Sequence, residues 1–578
     1  MASTIPVHPG LRLWLSGVML YAVGCALLAL HQAFASQYLF ADDARAHIFW
    51  MARFLDPRLF PHDPSADYFQ SLAPSGFATL YWLLAQAGID PRLASKLIPS
   101  VLSLIAVAYF FGLALRFFRS PPAAALGALL FTQCLWLNSD LCSATPRAFF
   151  FPLFLAFLYY QIRGAMIGML AAIALEALFF PPAALLSLGV LAWDCLRWQN
   201  GPRPAHPREW RVYLLSIGAL VLTMLCLGPY LQRVGTFGPV VTFEEARRMS
   251  EFGAEGRVPV FLSSWWGYWV GGNAGIHNLP TRPPWFLAAF LWPVLRCFPD
   301  QFPLFHSVPN GARPIPQIIA ASLSLFCAAH LFAFHLYLPN RYTQAVTRVV
   351  LVLLAAGVLF ALGQAAVRWA ERHKNQRAAG WAAPGLAVIL LLLAIYPLLL
   401  PEFPTGGYVK GDAVGLYRFF DRQPATIQIA SLADAGQDIP LLCQRSNIIG
   451  AECAVPFHPG YYLPLRERGL QIARAQYSSD PAVLLRCLRD QKVDFWLLDR
   501  NAFSQNYWRH SRLLRQLRLG APAEKLGEVR ESIPFLRQPL AQSIAYQDER
   551  FVVLDAHRLL ASSLGPKTAV AAKSPPND

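Results

Sequence analysis

Apolar residues run in long blocks through the first 400 positions of this chain, whereas after Pro404 apolar and polar residues exchange places over a few positions. Leu13 to Phe34, Leu97 to Leu115 and Ala345 to Val367 contain few or no charges. A helix needs about 20 mostly apolar residues to cross a hydrocarbon core, because an ionised side chain or an unpaired backbone group is costly there. On that criterion the blocks predict about eleven spans, near 13–35, 96–115, 121–138, 147–162, 164–181, 182–197, 212–231, 284–298, 316–337, 345–367 and 384–401. The run from Gly76 to Asp90 is short and bounded by Pro74 and Pro91, which predicts a juxtamembrane or re-entrant helix.

The C-terminal part has a different rhythm. Thr426 to Leu432, Val493 to Leu498 and Phe551 to Leu554 have strand character, and Pro481 to Arg489 has the spacing of a helix. The fold class expected is therefore mainly α: a polytopic helical bundle followed by a soluble α/β domain. The predicted boundaries are 1–403 for the membrane part, with outer loops 36–95 and 232–282, then 404–561 for the soluble domain and 562–578 for a disordered tail.

Charge sets the direction of the spans. Lys and Arg concentrate at Arg116 to Arg119, Arg163, Arg197 to Arg211 and Arg368 to Arg377, and basic loops stay cytoplasmic. With the N-terminus inside, all four segments fall on the cytoplasmic side and the soluble domain falls outside. Leu13 to Phe34 is too long for a cleaved signal and lacks a cleavage site, so it is read as a retained first span. The sequence pattern fits a bacterial inner membrane with the C-terminal domain in the periplasm.

Composition agrees. Hydrophobic residues make up 55% of the chain and charged ones only 14%, against about 25% charged in a soluble domain. The net charge of +15 is spread over loops and forms no basic stripe, which argues against a nucleic-acid partner. Most of the ten cysteines lie in apolar runs without CxxC spacing, which excludes a zinc site of that pattern. Cys443 and Cys453 lie in the soluble part, where an oxidising compartment would allow a disulfide. The aromatics Trp50, Tyr68, Trp265, Trp266, Tyr268 and Trp269 in the two outer loops suit chain lying at the headgroup level.

Candidate chemistry begins just after the first span, at Asp42-Asp43-Ala44-Arg45. Two adjacent acids open a helix whose apolar Ile48, Met51 and Phe54 share one face, and an N-terminal acid there equally fits a helix cap. Asp140 follows the third span, with Arg147 nearby in Thr145-Pro146-Arg147; the same residues also fit a helix start. Leu338-Pro339-Asn340-Arg341-Tyr342-Thr343 holds Arg341 at an interface, suited either to binding phosphate or to snorkelling beside a tyrosine belt. Arg257 competes for the phosphate role. His47, His62 and His277 stand alone and read as surface.

One span, an outer loop opening on an acidic pair, Arg45 two positions on and Met51 eight positions on: this arrangement resembles the GT-C superfamily of polytopic membrane glycosyltransferases. Asp42-Asp43-x-Arg45 is similar to the Asp-Glu-x-Arg segment of its aminoarabinose and mannosyl transferases, with Asp in place of Glu. The resemblance implies a membrane enzyme that moves a sugar from a polyprenyl-phosphate donor to a glycan, lipid or protein acceptor. It implies Asp42 or Asp43 as base, Asp140 as a second catalytic acid, and Arg341, Arg45, Arg147, Arg257 and Tyr342 around the lipid phosphate. Some members hold a divalent cation, Mg or Mn, and Asp42 and Asp43 would be its ligands here. The alternatives are a flippase or transporter for a lipid-linked glycan, for which Glu176 and Asp194 are the acids inside apolar runs, and a non-catalytic envelope scaffold.

Overall fold

The computed structural model describes residues 10–198, 202–204, 210–276, 283–307, 314–373, 380–404, 407–518, 535–537 and 541–563. His277, parts of the basic segments 197–211 and 368–377, and residues 564–578 of the predicted tail lie outside them. The chain divides into two compact units. The first comprises Met1–Ala44, Ser71–Thr236 and Val260–Lys410; the second comprises Arg45–Gln70, Phe237–Pro259 and Gly411–Asp578.

The first unit is helical. Among the described residues, five helices are long and apolar enough to cross a membrane: Leu11–Ala33, Pro91–Phe118, Trp210–Phe237, Asn340–Arg372 and Ala382–Leu399. Their outward faces carry exposed Leu20, Ile217, Leu225, Ile389 and Leu391, and Ala382–Ile395 has no buried residue at all. Such a surface is stable only against lipid, and the chain is an integral membrane protein. Several of the runs expected to span form shorter helices. Pro121–Trp136 has 16 residues, and Phe150–Arg163, Met166–Phe179 and Pro181–Asp194 have 14 each. Residues 284–298 break into a 3-10 turn, Pro284–Leu291, and a five-residue helix, Trp292–Arg296, because Pro283, Pro284 and Pro293 withhold backbone donors.

Local sequence sets the long helices. Asp90 caps Pro91–Phe118 by accepting from the Arg92 amide, Pro91 fills the first turn, and Arg119 ends it in the left-handed region. Phe110 stacks on Phe131 at 4.3 Å between ring centres. Helices in lipid pack through small residues. At Gly357 a Cβ would meet Trp292 at 2.4 Å and Phe118 at 2.8 Å, so only glycine lets Asn340–Arg372 approach there.

The second unit holds a five-stranded sheet in the order Ser446–Asn447, Gln428–Ser431, Phe495–Asp499, Phe551–Asp555, Ile544–Gln547. The first three strands are parallel and the last two antiparallel, with Ile429 opposite Phe495 and Leu497 opposite Val553. Parallel neighbours need crossovers. Ile439–Cys443 lies in the first, and Pro459–Tyr477 with Pro481–Asp490 form the second. All three strands and the helix expected from sequence are present. Trp50 and Tyr68, read as interfacial, are instead buried in this unit: Tyr68 stacks on Tyr461 at 3.7 Å and bonds His458 Nδ1 through its hydroxyl. Cys443 and Cys453 are free thiols, the first donating to the Tyr417 carbonyl and the second to that of Arg45.

Candidate active site

A short ladder fixes where the acidic pair leaves the first span. Leu39–Ala41 pairs antiparallel with Tyr408–Lys410, and the Asp42 amide donates to the Gly407 carbonyl at 3.1 Å. Gly407 has φ of +54°, and a Cβ on it would press on Ser139 at 3.2 Å. The strand pair therefore runs against the turn that carries Asp140.

Three elements then meet. Asp43 arrives from the ladder, Asp140 from the turn after Pro121–Trp136, and Arg147 from the 3-10 turn Pro146–Phe149 that leads into Phe150–Arg163. Arg147 Nη2 donates to Asp43 Oδ2 at 3.0 Å, and its Nε lies 3.5 Å from Asp140 Oδ1. The other oxygen of Asp140 is held by Arg348, whose side chain is 3% exposed. Burial alone would raise the Asp140 carboxyl, but the charges of Arg348, Arg147 and Arg341 outweigh it and bring the group down to about 2.

Arg341 completes the group. It lies seven residues before Arg348 in Asn340–Arg372, which is two turns and so the same face. Together with Asp140, Arg147, Gln344, Ala345 and the rings of Phe150, Phe151 and Phe180 it lines a narrow cleft of about 20 Å³, room for one water-sized group. Arg341 has no carboxylate within ion-pair distance among the described residues. Its guanidinium stands 5.8 Å from the Tyr337 ring, and its buried Nε has no partner.

The remaining predicted site residues lie elsewhere. Tyr342 is 1% exposed and donates its hydroxyl to the Leu336 carbonyl, away from the cleft lining. Arg45 belongs to the second unit, where it is buried against Asp438 at 3.1 Å, and Tyr417 donates to the other oxygen of that acid. Arg257, also in the second unit, pairs with buried Glu452, which Arg512 reaches at 3.2 Å. Asp42 is half-buried beside the ladder. Among the described residues no group of three or more His, Cys, Asp and Glu side chains is arranged to hold a metal. Asp43 and Asp140 share Arg147 between them.

Arg348 escaped the sequence reading because it sits inside the run 345–367. Its signal was there: an arginine within an apolar span, seven residues from Arg341, demands a buried acid.

No protein-family profile matches this sequence, and no curated protein matches it. The fold is that of an archaeal oligosaccharyltransferase. The apo oligosaccharyltransferase of Archaeoglobus fulgidus aligns at a TM-score of 0.53 over 88% of this chain and 72% of its own, with 12% identity. The same archaeon's AglB, solved with an inhibitory peptide and a dolichol-phosphate, gives 0.52 over 87% and 71%, again at 12% identity. ArnT from Cupriavidus metallidurans in the apo state covers 94% of this chain and 99% of its own at 14% identity, with a TM-score of 0.45; the fold assignment rests on the archaeal protein.

Proposed function

We propose that this chain is a membrane glycosyltransferase that moves a sugar from a polyprenyl-phosphate donor to an acceptor at the periplasmic face of a bacterial inner membrane. The observation that carries the reading is Arg341: a cation with no carboxylate partner among the described residues, lining one cleft with Asp140 and Arg147, which in turn holds Asp43. An arginine with no carboxylate within ion-pair distance among the described residues, in a partly apolar cleft, is suited to an anion, and its planar fork matches phosphate oxygens. Dolichol-phosphate is present in one structure of the archaeal protein that shares the fold.

An acceptor hydroxyl attacks the anomeric carbon, and its proton passes to the Asp43 carboxylate. The bond from that carbon to the phosphate oxygen breaks, and its electron pair stays on the phosphate. Arg341 and Arg147 stabilise the charge that develops there. Asp140, ionised throughout the neutral range, orients Arg147 and takes no proton.

The transport reading draws on acids inside apolar runs. Asp194, one of these, is occupied by the side-chain amides of Gln161 and Gln317 at 2.7 and 2.6 Å, as expected of a structural anchor. The discriminating experiment incubates purified protein with a panel of undecaprenyl-phosphate hexoses and envelope lipids as acceptor. Release of undecaprenyl phosphate by the wild type, lost in Asp43→Ala, is the expected result. Translocation of the same lipids without release would replace the enzyme by a flippase.

A further inference from the structure

Two bulky residues in one short turn hold backbone conformations that side chains rarely adopt. Phe334 has φ of +57° and Tyr337 of +65°, in the left-handed region that favours glycine. The Tyr337 amide closes the turn by donating to the Phe334 carbonyl at 3.0 Å. Tyr342, in the first turn of Asn340–Arg372, donates its hydroxyl to the Leu336 carbonyl at 2.8 Å and so pins the residue before Tyr337. Packing accounts for Phe334, which is 6% exposed, but Tyr337 is 39% exposed and fills no core position. Strained backbone of this kind gathers where a side chain must be kept in one place for function. Over the Tyr337 ring stands the guanidinium carbon of Arg341, 5.8 Å from the ring centre.

We infer that Tyr337 is a positioning residue, whose ring holds the Arg341 guanidinium at the cleft in place of an acid. The inference rests on the function proposed above and adds to it the means by which the phosphate-binding arginine is held without being neutralised. A carboxylate at ion-pair distance would fix Arg341 as well, but it would offset the charge and occupy N–H donors that a phosphate needs. An aromatic ring attracts a cation through its quadrupole and brings no negative charge with it. Arg341 therefore keeps its charge for an incoming anion, whereas Arg147 and Arg348 are matched to aspartates. Tyr342 gains a role at one remove: it fastens the turn that presents the ring.

The test is a binding cycle with undecaprenyl phosphate as probe, on full-length protein in nanodiscs, using substitutions that part the ring from the backbone. Glycine adopts the left-handed region without strain, so Tyr337→Gly keeps the turn and removes the ring. It is expected to bind the lipid about two- to fivefold more weakly than the wild type, the range for a cation on an exposed ring. Tyr337→Phe keeps the ring and is expected to restore the affinity. In an Arg341→Ala background Tyr337→Gly is expected to weaken binding no further. Wild-type affinity in Tyr337→Gly, the same loss in Tyr337→Phe, or an undiminished loss in the Arg341→Ala background overturns placement by the ring and leaves the proposed function standing. No binding by the wild type removes the proposed function and this role of Tyr337 with it.

Discussion

Both units of this protein bury arginines, and they use them differently. In the second unit Arg45 ends on Asp438, while Arg257 and Arg512 share Glu452, so that each guanidinium has an acid of its own unit beside it. In the first unit Arg348 is matched to Asp140 in the same way, but Arg147 is divided between two acids and Arg341 has none among the described residues. A buried ion pair with satisfied partners holds a fold in one arrangement. An arginine left without its acid is maintained at a cost that a bound anion would offset. The contrast separates structural cations from candidate binding ones, which identity and loop position alone do not.

The comparison breaks most visibly at Asp43, the proposed base. Asp43→Ala is expected to lower sugar transfer by about 10²–10⁴-fold, the range for loss of a general base, with folding unchanged because Asp43 is more than a third exposed on its side chain. Turnover in a reconstituted transfer assay checks this. Next come the matched pairs. Arg45→Leu strands a buried carboxylate and is expected to cost about 3–5 kcal/mol of stability, read as a fall in the thermal unfolding midpoint; Arg348→Leu is expected to cost less, because Asp140 keeps Arg147 beside it. Replacing both Arg348 and Asp140 with apolar residues is expected to cost less than the sum of the two single changes. Arg341→Ala is expected to leave the midpoint near that of the wild type, since no pair is lost.

The smallest effect expected is with pH. Asp140 titrates in the folded chain near 2, below the ordinary carboxylate value of about 3.9. Its ionised form therefore favours folding above pH 4, and that contribution is lost as pH falls towards 2. Between pH 5 and 8 the stability gap between wild type and Asp140→Asn should stay flat. A gap that closes within that window would mean Asp140 takes up a proton there and is not the fixed mount assigned to it.

Much of this was legible in the sequence, for identifiable reasons. Long apolar runs carry a strong signal, as do period-two strands, so the helical first unit, the strands at 428–431, 495–499 and 551–555 and the helix from Pro481 were readable. Asp43, Asp140, Arg147 and Arg341 were singled out by position beside apolar runs. Partner choice was not readable. Arg45 follows Asp43 by two residues, yet its partner Asp438 is 393 positions away, and nothing local announces that pairing. Nor does local pattern reveal that residues 45–70 and 237–259 join the sheet-bearing unit, since the contacts that hold them, such as Tyr68 on Tyr461, are long-range. Helix lengths were overread where paired prolines start or break an apolar run, as at 121, 181 and 283.

The most direct measurement compares lipid-phosphate affinity across the two kinds of arginine. Purified wild type, Arg341→Ala and Arg257→Ala are titrated in nanodiscs with undecaprenyl phosphate. Loss of an unmatched arginine should weaken binding about tenfold or more, the worth of a hydrogen bond to a charged group, while loss of a matched one should leave the affinity of the folded fraction as it was. Equal affinity in wild type and Arg341→Ala would contradict the account.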